Sequence, residues 1–478
     1  MNSRQSTLDR FTGEPLDVLI VGGGIVGAGV ARDAALRGLR AGLAEQHDMA
    51  FGTSSRSSRL LHGGLRYLAQ GRVFLVWEAS REKMLLHRIA PHLSQALPFV
   101  FPTYRRSGWP LWQMAVGVKL YDLLCGGRNL GPSTAFGSRR ALEILPGLNP
   151  DRLTGGVQYY DGLTNDARLV IDTLRSAALA GASVANYLRL EEARPAGGMW
   201  ECRLTDLLAG RELVVQARAV VNATGPWSDQ MPQSAIRLRV TKGVHLVVDH
   251  QRLPVPGGIA ITEGSRILFA LHWGRRTFMG STDTDYQGPL EDVRTDKDDI
   301  AYVLGVANQF FPAAHLTPAD VRATWSGVRP LIADPHGRPS DISRRHEIVM
   351  PQPGWIDVAG GKLTTYRLIG QQVVDRVFRH LGRTSPPCRT ADEPLLAPGT
   401  VPHSGILPPE PSAEVAREVC RNEWAVHLDD VMIRRTSWHY YLDNRQQLAA
   451  QVAGWMADSL GWDNARREAE LEEYQKRE

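Results

Sequence analysis

Three features of the sequence predict an α/β fold with a Rossmann-like nucleotide domain, a second domain on an antiparallel sheet, and a small helical C-terminal domain. The first is Gly22-Gly23-Gly24-Ile25-Val26-Gly27, set between a strand-like run and a helix-like run. The second is a series of short alternating apolar runs between Arg237 and Thr284, punctuated by Gly and Pro. The third is a charged, helix-patterned tail that follows eight prolines between Pro386 and Pro411. At 478 residues the chain exceeds what one hydrophobic core usually organises.

Each element follows from local pattern. Asp17 to Val21 reads as a buried strand, Ile25 to Arg37 as a helix with Gly38 as its C-cap, and Leu39 to Glu45 as the next strand. Met49 to Tyr67, rich in Ser, Thr, Gly and Arg, reads as a loop and turn, and Val73 to Ile89 as a helix closed by Pro91. Ala219 to Asn222 is a further buried strand. Leu246–Val248, Ile259–Ile261, Ile267–Phe269 and Thr277–Met279 read as strands of the antiparallel sheet. Thr295 to Phe311 is an amphipathic helix, with Thr295-x-x-Asp298 as a capping box and Pro312 as its stop. Trp355 to Val358 is a strand leading through Gly360-Gly361 into a helix from about Thr364 to Leu381. The proline-rich stretch then reads as a linker.

Composition narrows the function. The formal charge of +4 is too small to argue for nucleic acid and suits anionic small substrates or an anionic membrane surface. Cys125, Cys202, Cys388 and Cys420 form no C-x-x-C pair, which points to a reducing compartment without a disulfide framework or zinc site. Met1 to Phe11 carries no signal-peptide core, and no apolar run reaches 18 residues. Asp283-x-Asp285 has no nearby His or second acidic cluster, so turn and strand-end aspartates account for it and no metal is expected.

The glycine motif carries the first chemistry. Gly22 permits the tight turn, Gly24 lets backbone approach a pyrophosphate, and Gly27 lets helix and strand pack closely. The helix N-terminus offers amide donors and partial positive charge to the phosphates. Glu45, ending the second strand, is placed to accept ribose hydroxyls and disfavours a 2′-phosphate. This pattern alone does not separate NAD from FAD. FAD is favoured by the hydroxylated loop Thr53-Ser54-Ser55-Arg56-Ser57-Ser58, suited to a ribityl and pyrophosphate chain. It is favoured too by Ala359-Gly360-Gly361-Lys362-Leu363-Thr364-Thr365, where a helix start can stabilise the charge of reduced flavin. The strand Val220-Val221-Asn222, ending in Ala223-Thr224-Gly225, is the third such feature.

Gly22–Gly27, Thr53-Ser54-Ser55, Leu61-His62-Gly63-Gly64-Leu65-Arg66-Tyr67-Leu68, Ala223-Thr224-Gly225-Pro226-Trp227, Ser326-Gly327-Val328-Arg329-Pro330 and Gly360-Gly361-Lys362-Leu363-Thr364-Thr365-Tyr366-Arg367 together resemble the FAD-dependent (aerobic) glycerol-3-phosphate dehydrogenases. The resemblance covers roughly residues 15 to 385. Beyond it, Glu423-Trp424-Ala425 and Asp430-x-x-x-Arg434-Arg435-Thr436 also match, in a C-terminal part shorter than the family's between about Gly405 and Arg421.

The resemblance implies a discontinuous FAD domain of the glutathione-reductase/D-amino-acid-oxidase type. It would span 1–90, 155–235 and 325–385, with a substrate and membrane-facing region at 91–154. The substrate-domain sheet and helix would occupy 236–324, and the linker and helical domain 386–478. It implies oxidation of sn-glycerol 3-phosphate to dihydroxyacetone phosphate with FAD as cofactor, and electrons passed to a membrane quinone. Ala223 and Gly225 would lie close to the dinucleotide. Arg66 and Arg329 would hold the phosphate and the charge developing on the substrate oxygen, since the guanidinium fork suits phosphate. Lys362 would balance reduced flavin or contact substrate, and Tyr67 would orient polar groups. His62 is either the proton acceptor or a satisfied turn histidine. Trp109 to Leu124, with Arg105, Arg106, Lys119 and Arg128 among or beside it, reads either as a buried core helix or as an interfacial one. The resemblance favours the second, and with it a cytoplasmic protein peripherally attached to the cytoplasmic face of the membrane; a homodimer is compatible with this reading. The rival readings are an oxidase using O2, an amine or amino-acid oxidase on the same fold, and a flavin-binding sensor.

Overall fold

The computed structural model describes residues 3–68, 70–105, 108–127, 129–263, 266–333, 346–397, 399–400 and 402–477. Arg106, Arg128 and Pro398 lie outside them.

A six-stranded sheet runs, in spatial order, His346–Gln352, Trp355–Gly360, Val220–Asn222, Val18–Val21, Ala41–Ala44 and Ser183–Ala185. Its neighbours are parallel except at the edge strand His346–Gln352. Strand alternation sorts the two faces. Val18 and Ile20 pack in one core with the helices Ile25–Leu36, Asp166–Leu179 and Tyr366–His380, whereas Leu19 and Val21 pack against the three-stranded antiparallel sheet Leu188–Ala196, Met199–Asp206 and Arg211–Ala217. The helix after the glycine motif ends as expected. Gly38 takes φ +80°, and the N–H groups of Gly38 and Leu39 donate back to the carbonyls of Ala35 and Ala34.

The second sheet has ten strands. The four expected strands are antiparallel to one another where they pair, but the sheet also recruits Gln95–Tyr104, which runs parallel to Gly258–Glu263, and Leu153–Leu163. The long strand Val321–Ile332 lies antiparallel to Leu238–Asp249, with Arg329 opposite Thr241.

Two local expectations shift. The helix near Thr295 is Lys297–Phe310, and its capping box is formed by Asp296 and Asp299, one residue later than expected. Lys242 explains the register, because its ammonium bonds both Asp296 (2.7 Å) and Asp299 (2.6 Å). The late helix begins at Tyr366, after a short turn Leu363–Thr365. The proline-rich segment is anchored along its length. Arg32, buried, donates to the carbonyls of Thr390, Glu393 and Pro394, Leu395 N–H donates to Ile89, and the indoles of Trp273 and Trp438 donate to the carbonyls of Ile406 and Pro409.

The C-terminal domain packs helices Ala413–Asn422, Arg445–Leu460 and Asn464–Gln475 around Trp438 and Met456. Its two recognisable motifs are docking points. Glu423 receives Arg168 and Arg175, both on Asp166–Leu179. Arg434 and Arg435 close on Asp48, next to the nucleotide loop.

Candidate active site

Two cavities meet at the junction of the two sheets. The larger, about 530 Å³, is lined by Gly22, Gly24, Glu45, Thr53 and Ser54 from the first strand–helix unit, and by Ala223, Gly225, Gly360, Gly361, Lys362 and Leu363 from later strand ends. A cavity of this size holds a drug-sized or larger ligand. Gly22 takes φ +112°, and a Cβ there would stand 2.5 Å from the Ala223 carbonyl oxygen, so no other residue fits the turn. Ser54 Oγ accepts from the N–H of Ile25 at 3.0 Å and so holds the loop across the helix start. Glu45 accepts from the N–H groups of Gly23 (2.6 Å) and His47 (2.7 Å). Burial raises its pKa to about 6 against those two hydrogen bonds. Three predicted residues do not line the cavity. Gly27 lies in the helix against the Gly22 carbonyl. Ser55 is buried behind the loop. Thr364 turns inward to bond the backbone of His62 through both its N–H (3.0 Å) and its carbonyl (3.1 Å).

The second cavity, about 330 Å³, contains Arg66 and Tyr67 and shares His62 and Arg329 with the first. Arg329 sits between them because its strand crosses from the second sheet toward the nucleotide cavity. Its guanidinium donates to Ser281 Oγ, to the Thr282 carbonyl at 3.1 Å and to Asp283 at 3.3 Å. That contact gives Asp283 a structural role, as Arg239 does for Asp285 at 2.7 Å. Gly243 makes room for Arg329: a Cβ would stand 2.7 Å from the guanidinium carbon. The Lys362 ammonium lies over the Tyr67 ring, 4.3 Å from its centroid. Gly64, at φ +85°, lets that ring fold back, since a Cβ would come within 2.6 Å of it.

The sequence reading missed His245. It lies on the inward-facing alternation Gly243–His245 of the strand Leu238–Asp249, stacked on Trp325, and lines the larger cavity. Its Nε2 is 2.9 Å from Ser58 Oγ, and its Nδ1 has no protein partner among the described residues. Burial, then Arg329 and Arg59, hold its pKa well below the usual histidine value, so it is neutral. Period-two alternation around Gly243 was the available signal. Also missed was the network below the His62-Gly63-Gly64 turn. Gly63 N–H donates to Tyr121 Oη (2.7 Å), Tyr121 donates to Asp161 (2.5 Å), and buried Lys83 bonds Asp161 (3.0 Å).

Tyr121 belongs to the helix Leu111–Leu124, whose two faces differ. Met114, Val118 and Tyr121 are core, while Trp112, Val116 and Leu123 are exposed by 71%, 63% and 68%. Phe74, 65% exposed at the start of the neighbouring helix Val73–Ile89, adds to the exposed apolar side chains. One face of the segment is therefore core, and the other carries exposed apolar side chains. No helix among the described residues is long and apolar enough to cross a membrane.

Comparison with known proteins gives the family of the chain. Residues 17–375 match the FAD dependent oxidoreductase family, and residues 407–467 match the C-terminal domain of alpha-glycerophosphate oxidase. The chain is 36% identical over 412 residues to the aerobic glycerol-3-phosphate dehydrogenase of Bacillus subtilis, covering 83% of this chain and 74% of that one. It is 40% identical over 345 residues to an alpha-glycerophosphate oxidase of Streptococcus pyogenes, covering 69% and 56%. The structure superimposes on the glycerol-3-phosphate dehydrogenase of Bacillus halodurans complexed with FAD at a TM-score of 0.79 and 26% identity, covering 99% and 96% of the two chains. The chain is thus an FAD-dependent oxidoreductase and belongs, within that family, to the glycerol-3-phosphate dehydrogenases.

Proposed function

We propose that this enzyme oxidises sn-glycerol 3-phosphate to dihydroxyacetone phosphate and passes the electrons to a membrane quinone. The observation that carries the reading is the meeting of the two cavities at Arg329 and His62, with Arg66 in the smaller one. Bound FAD supplies a two-electron acceptor for the hydride from C2. Gly22, Gly24, Ser54 and Glu45 would hold its dinucleotide half, and Gly360 to Leu363 would face its ring end. Arg66 and Arg329 bind the phosphate and the charge forming on the C2 oxygen, with the Arg329 fork fixed beforehand by Ser281, Thr282 and Asp283. Lys362 and Tyr67 set the polarity beside the ring. His245, on the wall of the larger cavity, and His62, where the two cavities meet, are the side chains placed to accept the hydroxyl proton.

The Glu45 assignment has a pH consequence. Ribose hydroxyls donate to the carboxylate, so FAD favours the ionised form, and protonation opposes binding. Titration of apoprotein with FAD should show Kd rising by up to about tenfold per pH unit below pH 6. Equal affinity at pH 5 and pH 7.5 would remove Glu45 from the binding set.

The exposed face of Leu111–Leu124, with Phe74, supports attachment to a membrane surface and a quinone rather than dioxygen as acceptor. Phe74→Asp combined with Leu123→Asp should leave turnover of glycerol 3-phosphate with a water-soluble acceptor unchanged. Each charge against the acyl boundary costs about 2 kcal/mol, so vesicle binding and reduction of vesicle-borne quinone should both fall more than tenfold. Unchanged vesicle binding would refute the attachment, and dioxygen consumption matching quinone reduction would favour the oxidase reading.

A further inference from the structure

The cavity that contains Arg66 is larger than a three-carbon phosphate requires. At about 330 Å³ it falls in the range that holds drug-sized ligands, and this volume is additional to the nucleotide cavity. Its character changes along its length. Where it joins the nucleotide cavity it carries Arg329 and His62, and Arg66 also lines it. Its lining away from the shared residues includes Phe101, Met114, Ile267 and Phe269, with Gln113, Asp161 and Arg266 among them. It then reaches Trp112 and Val116, both exposed on the outer face of the helix Leu111–Leu124. A cationic inner end, an apolar wall and an opening onto exposed apolar surface together match an amphiphile.

We propose that the enzyme also oxidises glycerol 3-phosphates substituted at the C1 oxygen by an acyl or alkyl chain, the chain lying in the apolar arm of this cavity. The inference rests on the functional reading above, because the reacting group is the same secondary alcohol. The C2–H bond breaks with its electron pair passing to bound oxidised flavin, the hydroxyl proton leaves to the basic side chain, and the C2–O bond becomes a carbonyl. The product is the 1-O-substituted dihydroxyacetone phosphate, and reduced flavin is reoxidised by the acceptor of the parent reaction. The substituent at C1 takes no part in the electron balance, so the chemistry tolerates it wherever the cavity has room.

Gly117 gives the test a handle. It lines the same cavity on the outer helix, and a Cβ built there meets nothing within 4 Å, so a side chain at this position enters open space without disturbing the fold. A Trp at Gly117 is the probe that narrows the arm from its helix wall, with Arg66, Arg329 and the nucleotide cavity keeping their residues.

The probes are 1-O-methyl-, 1-O-butyl- and 1-O-hexyl-glycerol 3-phosphate, ethers that cannot migrate or hydrolyse, used below their aggregation concentrations on detergent-free, fully flavinylated enzyme. Anaerobic addition of each should bleach the flavin. Burying one methylene is worth roughly three- to fourfold in affinity, so KM should fall stepwise from methyl to hexyl. Gly117→Trp should lower kcat/KM for the hexyl compound by more than tenfold while that for glycerol 3-phosphate stays within about twofold. Four results overturn the proposal. One is no bleaching by the ethers in enzyme that glycerol 3-phosphate does bleach. Another is inhibition by the hexyl ether without bleaching, in competition with quinone, which would assign the arm to the acceptor. A third is a KM that does not fall with chain length, and a fourth is an equal loss for both substrates in Gly117→Trp. Failure of glycerol 3-phosphate itself to bleach the flavin would overturn the functional reading as well.

Discussion

Replacing Arg329 by lysine should lower kcat/KM for glycerol 3-phosphate by about ten- to a hundredfold, because the charge stays but the fork is lost, and one charge-assisted hydrogen bond in such a site is worth roughly 1.5–3 kcal/mol. Alanine should cost more, since the substrate's charge then has no partner at that position. The side chain is partly accessible, at 21%, and the contacts described above are with the short segment Ser281 to Asp283, so flavin content and melting temperature should hardly move. Lost flavin or stability with near-normal turnover in the remaining holoenzyme would make Arg329 a structural residue. Flavin occupancy, thermal melting and steady-state kinetics on the same two variants separate the outcomes.

The second large effect is expected at Asp48, far from the reacting groups. Its carboxylate is fully buried and holds both Arg434 and Arg435, with Arg435 at 2.7 Å on each oxygen. Burial alone would raise its pKa, but Arg435 and Arg434 outweigh that and hold it well below the usual carboxylate range. Asp48→Asn takes the carboxylate from buried Arg435, while Arg434 keeps Asp430 (2.7 Å) and Asp429 (3.2 Å), a loss on the order of 3–5 kcal/mol. The next residues form the nucleotide loop, so flavin retention should fall together with stability. The linkage has a definite sign. A depressed carboxylate contributes stability that is complete above its unfolded value of about 4 and is lost as pH falls toward the folded value. The wild-type protein should therefore lose the docking of its C-terminal domain in acid, and the variant should lack that acid-dependent step. An Asp48→Asn protein with wild-type melting temperature and full flavin would show that Arg435 does not depend on this carboxylate.

The parts legible in sequence are those that a few consecutive residues determine. The turn at Gly22, the helix stop at Gly38 and the alternation of Leu246 to Val248 each follow from local backbone geometry or side-chain period. The recognisable motifs place Arg66, Lys362 and Arg329 around the meeting point of the two cavities for the same reason. What escaped depends on distant pairing. Asp48 and Arg435 are 387 positions apart, and Gly63 and Tyr121 are 58 apart. Nothing in either neighbourhood names its partner. His245 looked like one residue of an ordinary strand, because its character comes from Ser58 and from Trp325 and Arg329, which two other segments supply. The capping box moved by one residue because Lys242, in another strand, selects Asp296 and Asp299 together.

The central claim is that a phosphate-bearing secondary alcohol is oxidised where Arg66 and Arg329 meet the nucleotide cavity. Anaerobic addition of glycerol 3-phosphate to the purified, fully flavinylated protein tests it most directly. The flavin absorption band should bleach within a turnover, with one dihydroxyacetone phosphate formed per flavin reduced, and the Arg329→Ala protein should bleach far more slowly at the same flavin content. A band that stays oxidised at saturating glycerol 3-phosphate would contradict the assignment of both the substrate and the site.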